Sequence, residues 1–310
     1  QNEDLKSGDK SPLIKNAYYT LQTDYNSNNY STMDDTHGKN LFDYGYIGQF
    51  QTTQEKNYVY DSAGVNGAGY YMQGWQDKEF TLLNIGNNAT ASRYTQQYYE
   101  IYNGYVTGNY ENYDQVQKGG ALLNGDRPQH VYDILYSTGR QSNGYGTSQR
   151  NQFRLIGSIF ADIKNHELNA GFEYEQRLER SYSISPMNLW TLARQLGNAK
   201  NTELDKTNPI INGDTTEYNR LYVPTIDAVS GKTIKGFFEN VRTSLNKSNT
   251  DFVDIDNLKP TDLSLDMFSA DELMQNGNGA LGSNYGYDYL GNPFDKKAAF
   301  ADFFNANNDD

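Results

Sequence analysis

The sequence contains no cysteine, so it offers no disulfide framework, no thiolate metal site and no cysteine nucleophile. Any core must come from packing or from lipid. Nor is there a run of about 18 apolar residues, which excludes a transmembrane helix. Membrane barrels stay open, because their strands are apolar only at alternate positions. Basic charge is also scarce: 26 Lys and Arg against 39 Asp and Glu give a net charge of −13. Phosphate binding needs clustered cations, so a nucleic-acid partner is excluded and adsorption to anionic lipid heads is disfavoured. The leading residues, QNEDLKSGDKSP, lack the basic and apolar regions of a signal peptide. Either a signal has been removed or the chain begins inside a longer protein.

Catalytic patterns are missing too. His37, His130 and His166 lie in separate segments, with neither a GxSxG nor an HExxH motif. Glu173 and Glu175 share a strand face, a geometry open to glycoside hydrolysis but offered by every polar-faced strand. His37 beside Asp34 and Asp35 reads as solvated polar loop. Asp251, Asp254 and Asp256 in DFVDIDN depart from an EF-hand loop, which needs Gly at its sixth position and Glu at its twelfth. The expectation is a chain that is not an enzyme and needs no cofactor or metal.

In excess is tyrosine, 27 residues against 14 Phe and 2 Trp. Such amphipathic rings suit membrane interfaces and sugar- or peptide-binding surfaces alike. The clearest pattern is NQFRLIGSIFADIKNHELNAGFEYEQR, residues 151–177. Phe153, Leu155, Gly157, Ile159, Ala161 and Ile163 share one uncharged face of a first strand, because side chains alternate with period two. Leu168, Ala170, Phe172 and Tyr174 do the same on a second, with charged and polar residues opposite. A turn at 164–167 sets Ile163 opposite Leu168 and Ile159 opposite Phe172, one register that satisfies both patterns. Arms of about eleven residues, tilted by about 45°, rise roughly 26 Å, close to the apolar band of an outer-membrane barrel. An ordinary half-buried hairpin in a sandwich fits the same pattern.

Elsewhere, alternation predicts strands near 13–25 and 41–53, paired as a neighbouring hairpin with Tyr44 and Tyr46 on a buried or lipid-facing side. Residues 27–40 read as a connection. From 54 to 150 the pattern dissolves into Gly, Asn, Gln and Tyr, with a helical stretch near 91–103. Ser185, Pro186, the stripe Leu189, Ala193 and Leu196, and a terminating Gly197 predict a short helix, with Trp190 widening its apolar face. YNRLYVPTI and KTIKGFFENVR read as short strands. Ser269 with Glu272 forms a capping box for a helix that Gly277 closes, and KKAAFADFF reads as a last helix.

LIKNAYYTLQTDY, DDTHGKNLFDYGYIGQF, HELNAGFEYEQR, the PMNLW helix and MFSADELMQNGNGALGSNYGYDYLGNP together resemble the TonB-dependent outer-membrane receptors of Bacteroidetes. The nearest branch is the Oar-like one, whose members carry a carboxypeptidase-regulatory-like domain before the plug. The resemblance implies a barrel of about 22 strands around a plug, energised through TonB for import. No plug sequence or TonB box is found, and the few strands recognised cannot close a barrel. The expected fold class is therefore all-β: antiparallel strands of a partial transmembrane β-barrel, 1–310 being a single fragment with long, partly helical extracellular loops at 54–150 and 179–310. Implied partners are outer-membrane lipid, the remainder of the barrel with its plug, the TonB complex, and an unidentified small-molecule, glycan or peptide ligand. The alternative is a soluble, surface-exposed β-rich binding module for glycans or peptides. A barrel wall leaves Leu155, Ile159, Leu168 and Phe172 on the outside of the sheet, whereas a binding module buries them. Flat rings among backbone and amide donors mark Tyr70, Tyr71 and Trp75 in GYYMQGWQ, and Tyr285, Tyr287 and Tyr289 in SNYGYDYLGN, as candidate ligand-binding residues.

Overall fold

The computed structural model describes residues 13–105, 110–127, 142–226, 231–274 and 279–294. Within them, 13–30 and 147–180 form one compact unit, and the described parts of 31–146 and 181–310 form another. The architecture is mostly antiparallel β with a few helices. Gly277, His130 and the KKAAFADFF helix lie outside the described residues.

The first unit is built from β1 (Ile14–Thr32), β4 (Tyr145–Ile163) and β5 (His166–Ile184). β1 runs antiparallel to β4, as the cross-strand pairs Asn16–Asp162, Tyr18–Phe160 and Thr20–Ser158 require. β4 and β5 form the expected hairpin, but its turn is only Lys164 and Asn165, with Lys164 at φ 55°. The tighter turn slides the register by one residue pair. Phe172 consequently lies over Gly157 rather than opposite Ile159, and a Cβ on Gly157 would fall 2.3 Å from its ring. A ring folded over a strand glycine restores the packing that the missing side chain gives up. Because the slip is an even number of residues, each side chain keeps its face.

Residues 13–25 do not pair with 41–53. Phe42 belongs to a 3-10 turn at Leu41–Asp43, and the strand begins only at Gly48. This β2 (Gly48–Asp61) pairs with β3 (Gly69–Ile85) in a separate sheet, inside the stretch expected to be loop. β3 carries 17 residues against 14 in β2. The register shifts at three places, leaving Gln73, Lys78 and Leu83 without partners. Each extra residue reverses which face the next side chains occupy, so β3 shows no sustained alternation. β2 keeps its parity, with Phe50 buried and Thr52, Gln54, Lys56 and Tyr58 half-buried.

Two cores organise the second unit. In one, Phe50 and Phe80 stack at 5.1 Å beneath α1 (Ala89–Tyr105) and α2 (Tyr113–Lys118). Ala91, Thr95 and Tyr99 line the buried stripe of α1 at the spacing of one helical face. In the other, α3 (Pro186–Lys200) is buried through Leu189, Trp190, Leu192 and Ala193. Trp190 meets the edge of Phe42 and the face of Tyr46, each at 5.5 Å, and its Nε1–H donates to the Phe42 carbonyl at 3.0 Å. Each such large apolar side chain contributes about 1.5–3 kcal/mol when fully buried.

Pro186 opens α3 as expected, although Ser185 makes no side-chain cap, and Gly197 does not end the helix. Gly197 is where the helix meets Ile255: a Cβ there would lie 2.3 Å from Ile255 Cγ1. KTIKGFFENVR is mostly helical, in α4 (Phe237–Ser244), and YNRLYVPTI makes only isolated bridges. The capping box holds at α5 (Ala270–Leu273): the Ser269 hydroxyl accepts from the Glu272 amide at 3.2 Å, and Glu272 accepts from the Ser269 amide at 2.8 Å. The same carboxylate also accepts from the Phe237 amide at 3.0 Å, so one side chain caps two helices. The short strands β6 (Ile210–Asn212) and β7 (Thr215–Glu217) extend the β2–β3 sheet, and β8 (Leu281–Tyr285) pairs with Ser181–Ile184 of β5.

Gly197→Ala is expected to overpack the contact with Ile255 and cost about 1–3 kcal/mol. Adding Ile255→Ala should recover part of that loss, so the two costs will fall short of additive. Urea midpoints followed by tryptophan emission measure the coupling, and strictly additive costs would refute the contact.

Candidate functional site

Two surfaces gather the candidate side chains. The first is the three-stranded sheet. One face presents Tyr19, Leu21, Ile159, Leu168 and Phe172, which keep 80%, 65%, 57%, 50% and 56% of their surface exposed. Alternation puts Thr20, Ser158 and the Arg154–Glu173 ion pair at 2.6 Å on the other face. Glu175 is likewise paired, with Arg177 at 3.4 Å, so both carboxylates of the possible acid pair have cationic partners. The β1–β4 register sets Tyr25 opposite Phe153, and Phe153 lies 6.4 Å from Tyr174, which forms a ring row across all three strands. From Ile163 to this row is a climb of about 33 Å along the strand, or roughly 23 Å at a tilt of about 45°. Beyond the row the strands turn polar. Among the described residues, β1 and the 166–180 part of β5 are open sheet edges.

The second surface is the inner face of the β2–β3 hairpin, where Trp75 lies. Arg220 is stacked between Trp75, 4.2 Å from the ring centre, and Phe252, at 4.7 Å. Its Nη2 donates to Gln54 Oε1, and burial pulls its pKa down to about 10. Beside it, Glu217 accepts from Lys56 at 2.6 Å and from Tyr58 at 2.5 Å. The hydrogen bond to Glu217 pushes the Tyr58 hydroxyl up to about 12, while Lys56 holds the Glu217 carboxyl below its usual range. No local pattern marks Arg220, Glu217 or Phe252: the parallel pairing of β7 on β3 brings Glu217 and the chain after it to the hairpin, and the Thr52–Asp254 hydrogen bond ties the segment of Phe252 to β2.

The other candidate rings are dispersed. Tyr70 is 47% exposed and meets the edge of Tyr60 at 5.3 Å. Tyr71 pins the hairpin turn, accepting from the Asn66 amide at 2.8 Å and donating to the Gly67 carbonyl at 2.7 Å. Tyr285, Tyr287 and Tyr289 do not line up, because the chain turns at Gly286 with φ 73°. Tyr285 is exposed, whereas Tyr287 and Tyr289 are buried in the α3 core beside Tyr182.

The acidic candidates go to separate partners. His37 Nε2 bonds Asn88, and Asp34 accepts from the Thr36 and His37 amides. Asp251 accepts from the Ser248 amide, Asp254 from the Thr52 amide at 2.7 Å, and Asp256 pairs with Arg194. Among the described residues, no helix is long and apolar enough to cross a membrane, which says nothing of crossing by strands. Set against known proteins, the chain matches no family model, no curated protein and no solved structure.

Burial pushes the Asp254 carboxyl up to about 7, with neighbouring Asp256 adding to the rise. Its unfolded value is about 3.9, so the fold favours the protonated form. The associated stability is complete below about pH 4 and lost as pH rises through 7. Asp254→Asn keeps an acceptor for the Thr52 amide and should flatten this dependence, raising the melting temperature at pH 8 more than at pH 5. Parallel melting curves for parent and variant across that range would refute the assignment.

Proposed function

We propose that the chain is a segment of a TonB-dependent outer-membrane receptor of the Oar-like kind, contributing barrel wall and extracellular ligand-capture loops. The observation that carries this reading is the three-stranded sheet with one apolar face bare. Three strands that bury neither face are unstable alone in water, and contiguous exposed apolar surface of this kind needs a partner. Lipid on one side and a wet lumen on the other meet that need, and neighbouring strands of a barrel close the open edges. The ring row near the end of the apolar stretch fits a membrane–water interface, and a two-residue turn fits the periplasmic end. In this reading the second unit lies outside the cell, and import depends on the remaining barrel, the plug and TonB. A soluble binding module requires Ile159, Leu168 and Phe172 inside a core, and their exposure weighs against it.

Because the chain has no cysteine, single-cysteine variants carrying an environment-sensitive fluorophore have no background. With phosphatidylcholine vesicles, a label at Ile159→Cys should shift to the blue and be quenched by brominated lipid. A label at Ser158→Cys, on the opposite face, should do neither. Equal behaviour of the two labels, or an Ile159 label already buried without lipid, would overturn the proposal.

A further inference from the structure

We propose that a cleft of about 370 Å³ in the second unit, between residues 39–43 and 260–265, binds a short peptide with an apolar side chain. The volume falls within the range of about 300–1,000 Å³ typical of small-molecule sites. Its floor is Phe42 and Leu263, 4% and 6% exposed, flanked by half-buried Leu41 and Leu265. The floor is fixed from below, since the Phe42 carbonyl takes the Trp190 indole hydrogen bond and the Phe42 ring packs on Trp190 and Phe268. The far wall is a run of tight turns, with the Lys259 amide bonded to the Asp262 carboxylate at 2.9 Å. The cleft is therefore formed before any ligand arrives.

Polar groups line the same space. Lys39, Asn40, Asp43 and Thr261 reach it, and their side chains make no hydrogen bond or ion pair among the described residues. One cation, one carboxylate, one amide and one hydroxyl match a zwitterionic chain whose backbone both donates and accepts. Glycan is the weaker match, because sugars are held by stacking on flat rings and the cleft presents none: Phe42, its single ring, is covered. Nucleotide is disfavoured by a lone Lys39 beside Asp43. The cleft lies wholly within the second unit, so peptide binding there is independent of the membrane reading. A chain that ignores vesicles can still bind peptide, and one that enters them can fail to.

The test is titration of the whole chain with the tripeptide Ala-Leu-Ala, followed by calorimetry and by tryptophan emission, to which Trp190 beneath the floor contributes. Saturable binding is expected, weakened at least tenfold by Lys39→Ala and abolished by Thr261→Phe, which fills the cleft from an exposed position. Unchanged urea midpoints for both variants show that the fold is intact. No saturable binding at millimolar tripeptide, binding that survives Thr261→Phe, or equal binding of maltotriose would each overturn the proposal.

Discussion

The second unit depends on one buried ion pair. Arg194 on α3 grips Asp256 with two hydrogen bonds, at 2.7 and 2.6 Å, with both side chains 7% exposed or less. Its remaining reach goes to the Asn124 carbonyl at 2.9 Å, while the Asn124 side chain holds the Ile47 and Gly48 amides and the Gly48 carbonyl. Four segments remote in sequence thus meet at one guanidinium, where the α3 core joins the core under β2 and β3. Desolvating two charges cancels much of their attraction, so the pair is weak evidence of net stability. What it does is fix alignment: with either partner gone, an uncompensated charge stays buried, at about 3–5 kcal/mol. At Asp254, two residues away, burial is what pushes the carboxyl up, and neighbouring Asp256 adds to the rise.

The first unit obeys a different constraint. Among the described residues it has no second layer and so no core, and its stability has to come from whatever touches its two faces. The groove of about 380 Å³ between Tyr19, Leu21, Ile159, Ala170 and Phe172 shows how uneven that apolar face is. A rigid protein partner would need a matching ridge, whereas fluid acyl chains fill any such relief.

How much of this was legible in the sequence follows from where the pattern had one cause. The 151–177 hairpin, the α3 stripe and the Ser269–Glu272 box could be read because a single local rule fixed each. The Phe42, Tyr44 and Tyr46 alternation misled, since turns can bury every second ring as a strand does. β3 was hidden by its three unpaired residues, and its half-polar inner face gave no hydrophobic signal. Gly197 carries the local mark of a helix stop, whereas the nearness of Ile255 is a tertiary fact with no local mark. Of the candidate site, the rings were visible in composition, while the arginine stacked on Trp75 and the burial of Tyr287 and Tyr289 were not.

The hydrogen bond from Trp190 to Phe42 spans 148 positions, and the whole β4–β5 hairpin lies between its ends. That separation sets an order of events as the chain matures. Phe42 and β2 emerge early but have no α3 to pack against until the hairpin has been made and passed. Contacts of such long sequence separation fold slowly, since their closure entropy comes due before any packing is gained. Gly144 lies beside Thr32, so once β4 has found β1 the intervening segment is already a closed loop. The β1–β4 pairing thereby acts as a clasp, and the late α3 core is left with a much shorter search.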